Sequence, residues 1–169
     1  MNFEQLIPNP APNEDLDAVI AEMTEAINRD PNDAHALFRR GNAHSNKREY
    51  EETKADMTRV IEMEPDNSMA HNNRGVAFLC TGDPESAIRD ITMAIDIDST
   101  YRDAFHNRGL AYSEIEDLDH ALADLDKAIE LDPAYWSAYR HRGIVHYMKG
   151  NQDASYKDYL RARELESGK

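Results

Sequence analysis

Positive charge is scarce in this sequence. Lys and Arg total 19 against 33 Asp and Glu, for a formal net charge of −14. Nucleic acid is bound by Lys and Arg that displace its counterions, so this balance predicts no nucleic-acid partner. Cysteine is nearly absent: Cys80 alone permits no intrachain disulfide and points to no oxidising compartment. No stretch approaches the ~18 apolar residues of a membrane-crossing helix, so no membrane is expected. The opening residues Met1 to Pro8 have neither the basic start nor the apolar run of a secretory leader, and a cytoplasmic location is expected. Catalytic signatures are missing too. There is no glycine-rich phosphate loop, no His-Glu-x-x-His, no Gly-x-Ser-x-Gly and no cysteine pair, so the chain is expected to be no enzyme and to need no cofactor. In the segment from Asp96 to Thr100, which resembles the start of a calcium loop, Tyr101 stands where glycine is required and Asn107 where a bidentate Glu is. His106 and His141 can approach one another, but no carboxylate or thiol joins them at metal-ligand spacing, so no metal site is expected.

What the sequence does have is a period of 34 residues. Arg-Gly recurs at Arg40-Gly41, Arg74-Gly75, Arg108-Gly109 and Arg142-Gly143. Ala36, Ala70, Ala104 and Ala138 keep the same register, as do Pro31, Pro65, Ser99 and Pro133, and Ile27, Ile61, Ile95 and Ile129. The copies form a small internal alignment in which each column has a physical reading. One period predicts two helices, the first over about Ala34–Lys47 and the second over about Tyr50–Met63. The turn between them shows in Thr81-Gly82-Asp83-Pro84 and Lys149-Gly150-Asn151, where Gly ends one helix and Asp or Asn caps the next. Gly41, Gly75, Gly109 and Gly143 face small residues, Thr53, Ala87, Ala121 and Ser155, and predict close helix approach.

The pattern Phe105, Gly109, Tyr112, Ala121, Leu125, Ala128, Pro133 resembles that of the tetratricopeptide repeat. The resemblance implies an all-α, right-handed solenoid of four 34-residue helix-turn-helix units preceded by one extra helix. The expected boundaries are 34–67, 68–101, 102–135 and 136–169 for the four repeats. A helix over 14–33 precedes them, and 1–13, with Pro8, Pro10 and Pro12, is expected to be a flexible tail. The last unit carries a polar cap, because Arg163 and Tyr156 replace the Ile and Leu of earlier copies. A monomer or weak homodimer is expected.

Many members of that family carry leucine before the glycine, whereas this chain has arginine. Sixteen residues after each arginine stands an acid, predicting four structural pairs: Arg40 with Asp56, Arg74 with Asp90, Arg108 with Asp124 and Arg142 with Asp158. Half-buried bidentate pairs of this kind fix helix register more than they add stability.

By the resemblance, the first helices line a concave groove that binds a peptide segment of another protein. Its lining is Phe38, Arg39, Asn42, Ser45 and Asn46, then Asn72, Asn73, Val76 and Leu79, then Asp103, His106, Asn107, Leu110 and Ser113, then Arg140, His141, Ile144, Tyr147 and Met148. Amide side chains there pair with a peptide backbone, and an apolar stripe of Val76, Leu110 and Ile144 with Leu79 and Tyr147 selects side chains. The first helices are net positive on an acidic body, which would steer an acidic segment toward them. Some family members hold chaperone tails with a clamp of Lys, Asn, Asn, Lys and Arg. Here Asn42 and Asn73 match, while Phe38, Asp103 and Asn107 occupy the charged positions. A looser site is therefore expected in an adaptor or scaffold, the alternatives being a secretion-type chaperone that shields an apolar segment and a self-assembling structural solenoid.

Overall fold

A computed structural model describes residues 15–168, which form two compact units divided between Asp98 and Ser99. The first thirteen residues, expected to be a flexible tail, lie outside the described residues. All regular structure among the described residues is α-helical. The first unit contains α1 (Leu16–Arg29), α2 (Ala34–Asn46), α3 (Tyr50–Met63), α4 (Ser68–Cys80) and α5 (Pro84–Ile97). The second contains α6 (Arg102–Glu114), α7 (Leu118–Leu131), α8 (Trp136–Met148) and α9 (Gln152–Ser167).

Helix starts follow from short polar side chains. Asp33, Asn67 and Asp83 accept from the backbone N–H three residues on, at 2.8, 3.0 and 3.0 Å, satisfying donors that the first turn leaves orphaned. Each turn inside a repeat needs one left-handed residue. Gly82 and Gly150 supply it at φ 80° and 79°, and Arg48 and Glu116 take the same conformation at φ 64° and 60°. These four positions are one column of the period, although only two carry glycine.

In the first unit each helix packs on the next, and the first helices α2 and α4 also touch directly. In the second unit α6, α7, α8 and α9 pack in the same order, with α6 touching α8. Met57, Val60 and Ile91 are fully buried in the first unit and Leu125 and Val145 in the second. Each such side chain contributes about 1.5–3 kcal/mol by leaving water. The glycine column sets the interhelix distance. A Cβ at Gly75 would lie 2.5 Å from Ile91 Cγ1 and 3.2 Å from the Ala87 carbonyl oxygen. At Gly143 the nearest atoms, Ser155 O and Asp158 Cβ, would be at 3.2 and 3.3 Å.

Candidate functional site

The arginine before each glycine joins its helix to the next, and in Arg40, Arg74 and Arg142 it also reaches the helix before. Arg40 donates from Nε and Nη2 to the two carboxylate oxygens of Asp56 on α3, at 2.9 and 2.7 Å. Its remaining Nη1 donates to Thr24 on α1, at 3.2 Å. Arg74 repeats this with Asp90 (2.6 and 2.7 Å) and Thr58 (3.1 Å). In the second unit Arg108 is bidentate to Asp124, and Arg142 is bidentate to Asp158 while Nη1 reaches Asp126 at 2.6 Å. Thus Arg40, Arg74 and Arg142 each contact one residue sixteen positions later and one sixteen positions earlier. Hydrogen bonds to Asp158, opposed by burial, hold the Arg142 guanidinium well above its ordinary pKa. Both carboxylate oxygens of Asp56, Asp90, Asp124 and Asp158 are thus engaged by guanidinium N–H groups.

On the first-helix face of the N-terminal unit, amides gather. Asn73 Nδ2 on α4 donates to Asn42 Oδ1 on α2 at 2.9 Å, and Asn72 Nδ2 donates to Asn73 Oδ1 at 3.3 Å. The bond uses Asn42's carbonyl oxygen and leaves its amide N–H groups outside the pair. One helical turn on, Asn46 Oδ1 is buried with no hydrogen-bond partner among the described residues, which a buried acceptor seldom tolerates. Phe38 and Arg39 are half-buried beside them on α2.

The corresponding face of the C-terminal unit is closed at its middle by a histidine pair. His106 Nε2 and His141 Nδ1 share a hydrogen bond of 2.8 Å. His106 Nδ1 lies 3.3 Å from Asn107 Oδ1, and Ser137 Oγ lies 3.3 and 3.4 Å from the paired nitrogens. With Asn107 Oδ1 as the acceptor, His106 carries its hydrogen on Nδ1 and His141 Nδ1 donates to His106 Nε2. Tyr135 packs on His106 with ring centroids 5.1 Å apart. Arg102 stacks 4.1 Å over the Tyr135 ring and is itself tied to Asp103 and Asp132. Burial, then the neighbouring His141, pushes His106 down to about 3. Burial, then Arg140, pushes His141 down to about 4, so both rings are neutral at pH 7. Among the described residues no third His, Cys, Asp or Glu completes a metal-binding group.

Two models of the tetratricopeptide repeat match the chain, one over residues 41–101 and the other over residues 103–135. The chain belongs to the tetratricopeptide repeat family. Its repeats are those of a non-enzymatic protein-interaction scaffold. No curated protein sequence matches it. Solved structures do. MamA from Desulfovibrio magneticus RS-1 is 21% identical with a TM-score of 0.83, covering 91% of this chain and 87% of that one. YrrB, described as a TPR protein with an unusual peptide-binding site, is 21% identical with a TM-score of 0.74, covering 89% and 77%. The first TPR of Spaghetti (RPAP3), bound to the HSP90 peptide SRMEEVD, is 23% identical with a TM-score of 0.67, covering 69% and 93%. At these identities the likeness is one of fold, an all-α helical-repeat solenoid.

The other residues expected in the groove divide by exposure. Val76, Leu79 and Leu110 are at most 4% exposed, and His106, Asn107, His141 and Asn72 are buried as well. These side chains fill the repeat interior and are not presented as an apolar stripe. Arg140, Ile144 and Tyr147 remain reachable on α8, Tyr147 at 67% exposure, and Met148 is exposed beside them. Among the described residues no helix is long and apolar enough to cross a membrane.

Proposed function

We propose that this tetratricopeptide repeat protein is an adaptor that binds an extended segment of a partner protein on the first-helix face of its N-terminal unit. The observation that carries the reading is the Asn73–Asn42 bond, which spans α2 and α4 and leaves Asn42's N–H groups outside the pair. Amide N–H groups on that face can donate to the C=O groups of a peptide backbone. Such a pairing is indifferent to ligand sequence, so specificity falls to neighbouring side chains such as Phe38 and Arg39. The acidic body favours an acidic segment at the more positive first helices. A cytoplasmic setting agrees with this role. The peptide-binding site described for YrrB and the HSP90-peptide complex of Spaghetti support a peptide partner in general terms. Without lysine and arginine at the positions of Phe38, Asp103 and Asn107, the site is not a charged clamp for chaperone tails. Affinity is expected near micromolar, roughly −8 kcal/mol.

A second reading places an apolar segment against Arg140, Ile144, Tyr147 and Met148 on α8, as a secretion-type chaperone would. The exposure of Tyr147 and Met148 favours it.

Selection of peptides from a displayed random library on the purified protein tests both. Under the adaptor reading, Asn42→Ala with Asn73→Ala weakens the selected peptides at least tenfold, while Tyr147→Ser leaves them unchanged. The reverse pattern supports the chaperone reading. Peptides insensitive to both sets of changes contradict first-helix binding altogether.

A further inference from the structure

The last helix carries an exposed face that the fold leaves uncovered. Tyr156, Tyr159 and Leu160 are 65, 42 and 41% exposed, on the side of α9 away from its buried Ser155, Asp158 and Ala162. Asp153 and Arg163 extend the same strip at either end, both exposed. Their spacing, 153, 156, 160 and 163, is the three-four alternation by which one helix seam meets another. Neither the Asp153 nor the Arg163 side chain has a hydrogen bond or ion pair among the described residues.

The arginine register indicates what this face does not accept. The Nη1 contacts of Arg40, Arg74 and Arg142 fall sixteen residues before each arginine, on Thr24, Thr58 and Asp126. The next position of that column is Leu160, which has no acceptor. Another arginine-bearing first helix seated on α9 would leave a guanidinium N–H facing an aliphatic side chain.

We propose that the α9 face pairs with the same face of a second copy, the two helices running antiparallel about a twofold axis near residue 158. In such an isologous contact each pair of residues occurs twice. One register places Tyr156 on Leu160 of the second copy and Asp153 on Arg163 of the second copy. The apolar residues then cover each other at the centre, and an ion pair closes each end. Sliding one helix by a heptad sets Arg163 against Leu160 or Asp153 against Tyr156, burying a charge without its partner. The rim is electrically mixed, since Lys157 and Glu164 share one edge, so nothing there opposes the pairing of like with like. Opposite charges at the two ends of one apolar strip are the complementarity that selects a second copy over an unrelated helix.

Analytical ultracentrifugation of the full chain, from micromolar to submillimolar, tests this with charge exchanges at the ends. Wild type is expected to dimerise reversibly. Asp153→Arg alone and Arg163→Asp alone are each expected to self-associate at least tenfold more weakly, with helix content by circular dichroism unchanged. Mixed one to one, those two variants restore both ion pairs, and a heterodimer of wild-type affinity is expected. A wild type that stays monomeric throughout overturns the proposal and leaves the face to residues 1–14 or a foreign helix. So does a dimer insensitive to both changes, or weakening of both variants without restoration in the mixture.

Discussion

Arg74 and Asp90, sixteen residues apart in the chain, meet through two parallel hydrogen bonds of 2.6 and 2.7 Å between α4 and α5. Their side chains are largely shielded from water, so neither charge is easily left alone. Asp90→Ala should therefore destabilise the chain by roughly 3–5 kcal/mol, because the guanidinium keeps only Thr58. Replacing both partners with apolar residues of similar volume should recover most of that loss. Urea unfolding of the two singles and the double measures the coupling, and additive effects would refute a shared interaction.

Gly75 and Gly143 occupy one column but should respond differently to alanine. Alanine gains about 1 kcal/mol of helix propensity over glycine at either site. At Gly75 the new methyl would meet the branched Ile91 side chain at 2.5 Å and the Ala87 carbonyl, and overpacking of that kind costs about 1–3 kcal/mol. Net destabilisation is expected for Gly75→Ala and a near-neutral result for Gly143→Ala, read as shifts in the urea midpoint.

The turn column offers two stabilising changes. Arg48 and Glu116 hold the left-handed conformation that costs a residue with a Cβ roughly 1 kcal/mol and glycine little. Arg48→Gly and Glu116→Gly should each raise stability by about 0.5–1 kcal/mol. A lowered melting temperature in both would contradict this.

The histidine pair makes the C-terminal unit acid-sensitive. His106 and His141 titrate near 3 and 4 when folded, against an ordinary value of 6.5, so the unfolded chain binds protons first as pH falls. Their contribution is complete above pH 6.5 and is lost progressively as pH drops toward 4. Between pH 6.5 and 5 the loss should be roughly 2 kcal/mol or more, at 1.36 kcal/mol per unit for each ring. His141→Gln should flatten that slope while leaving the chain folded, which urea midpoints at pH 7 and pH 5 compare directly.

Much of this architecture is legible in the 34-residue period, because a column repeated in phase reports a packing constraint. The Arg–Gly column and the acid sixteen residues later both meet across a helix pair. The contacts sixteen residues earlier were less visible, since Thr24, Thr58 and Asp126 read as ordinary surface polars. Glycine marks only two of the four left-handed turns, and nothing in the identity of Arg48 or Glu116 betrays the others. Apolar residues at Val76, Leu79 and Leu110 suit a groove wall or a core equally. Their burial depends on neighbours that periodicity does not rank. The amide cluster is readable as residues, but the unsatisfied Asn46 Oδ1 emerges only once the helices are packed.

Hydrogen–deuterium exchange with and without a library-selected peptide locates the bound segment on the protein. Binding along the N-terminal first-helix face predicts new protection concentrated in α2 and α4, absent from the Asn42→Ala, Asn73→Ala double variant. Protection confined to the second helices α3 and α5, or unchanged in the double variant, would contradict it.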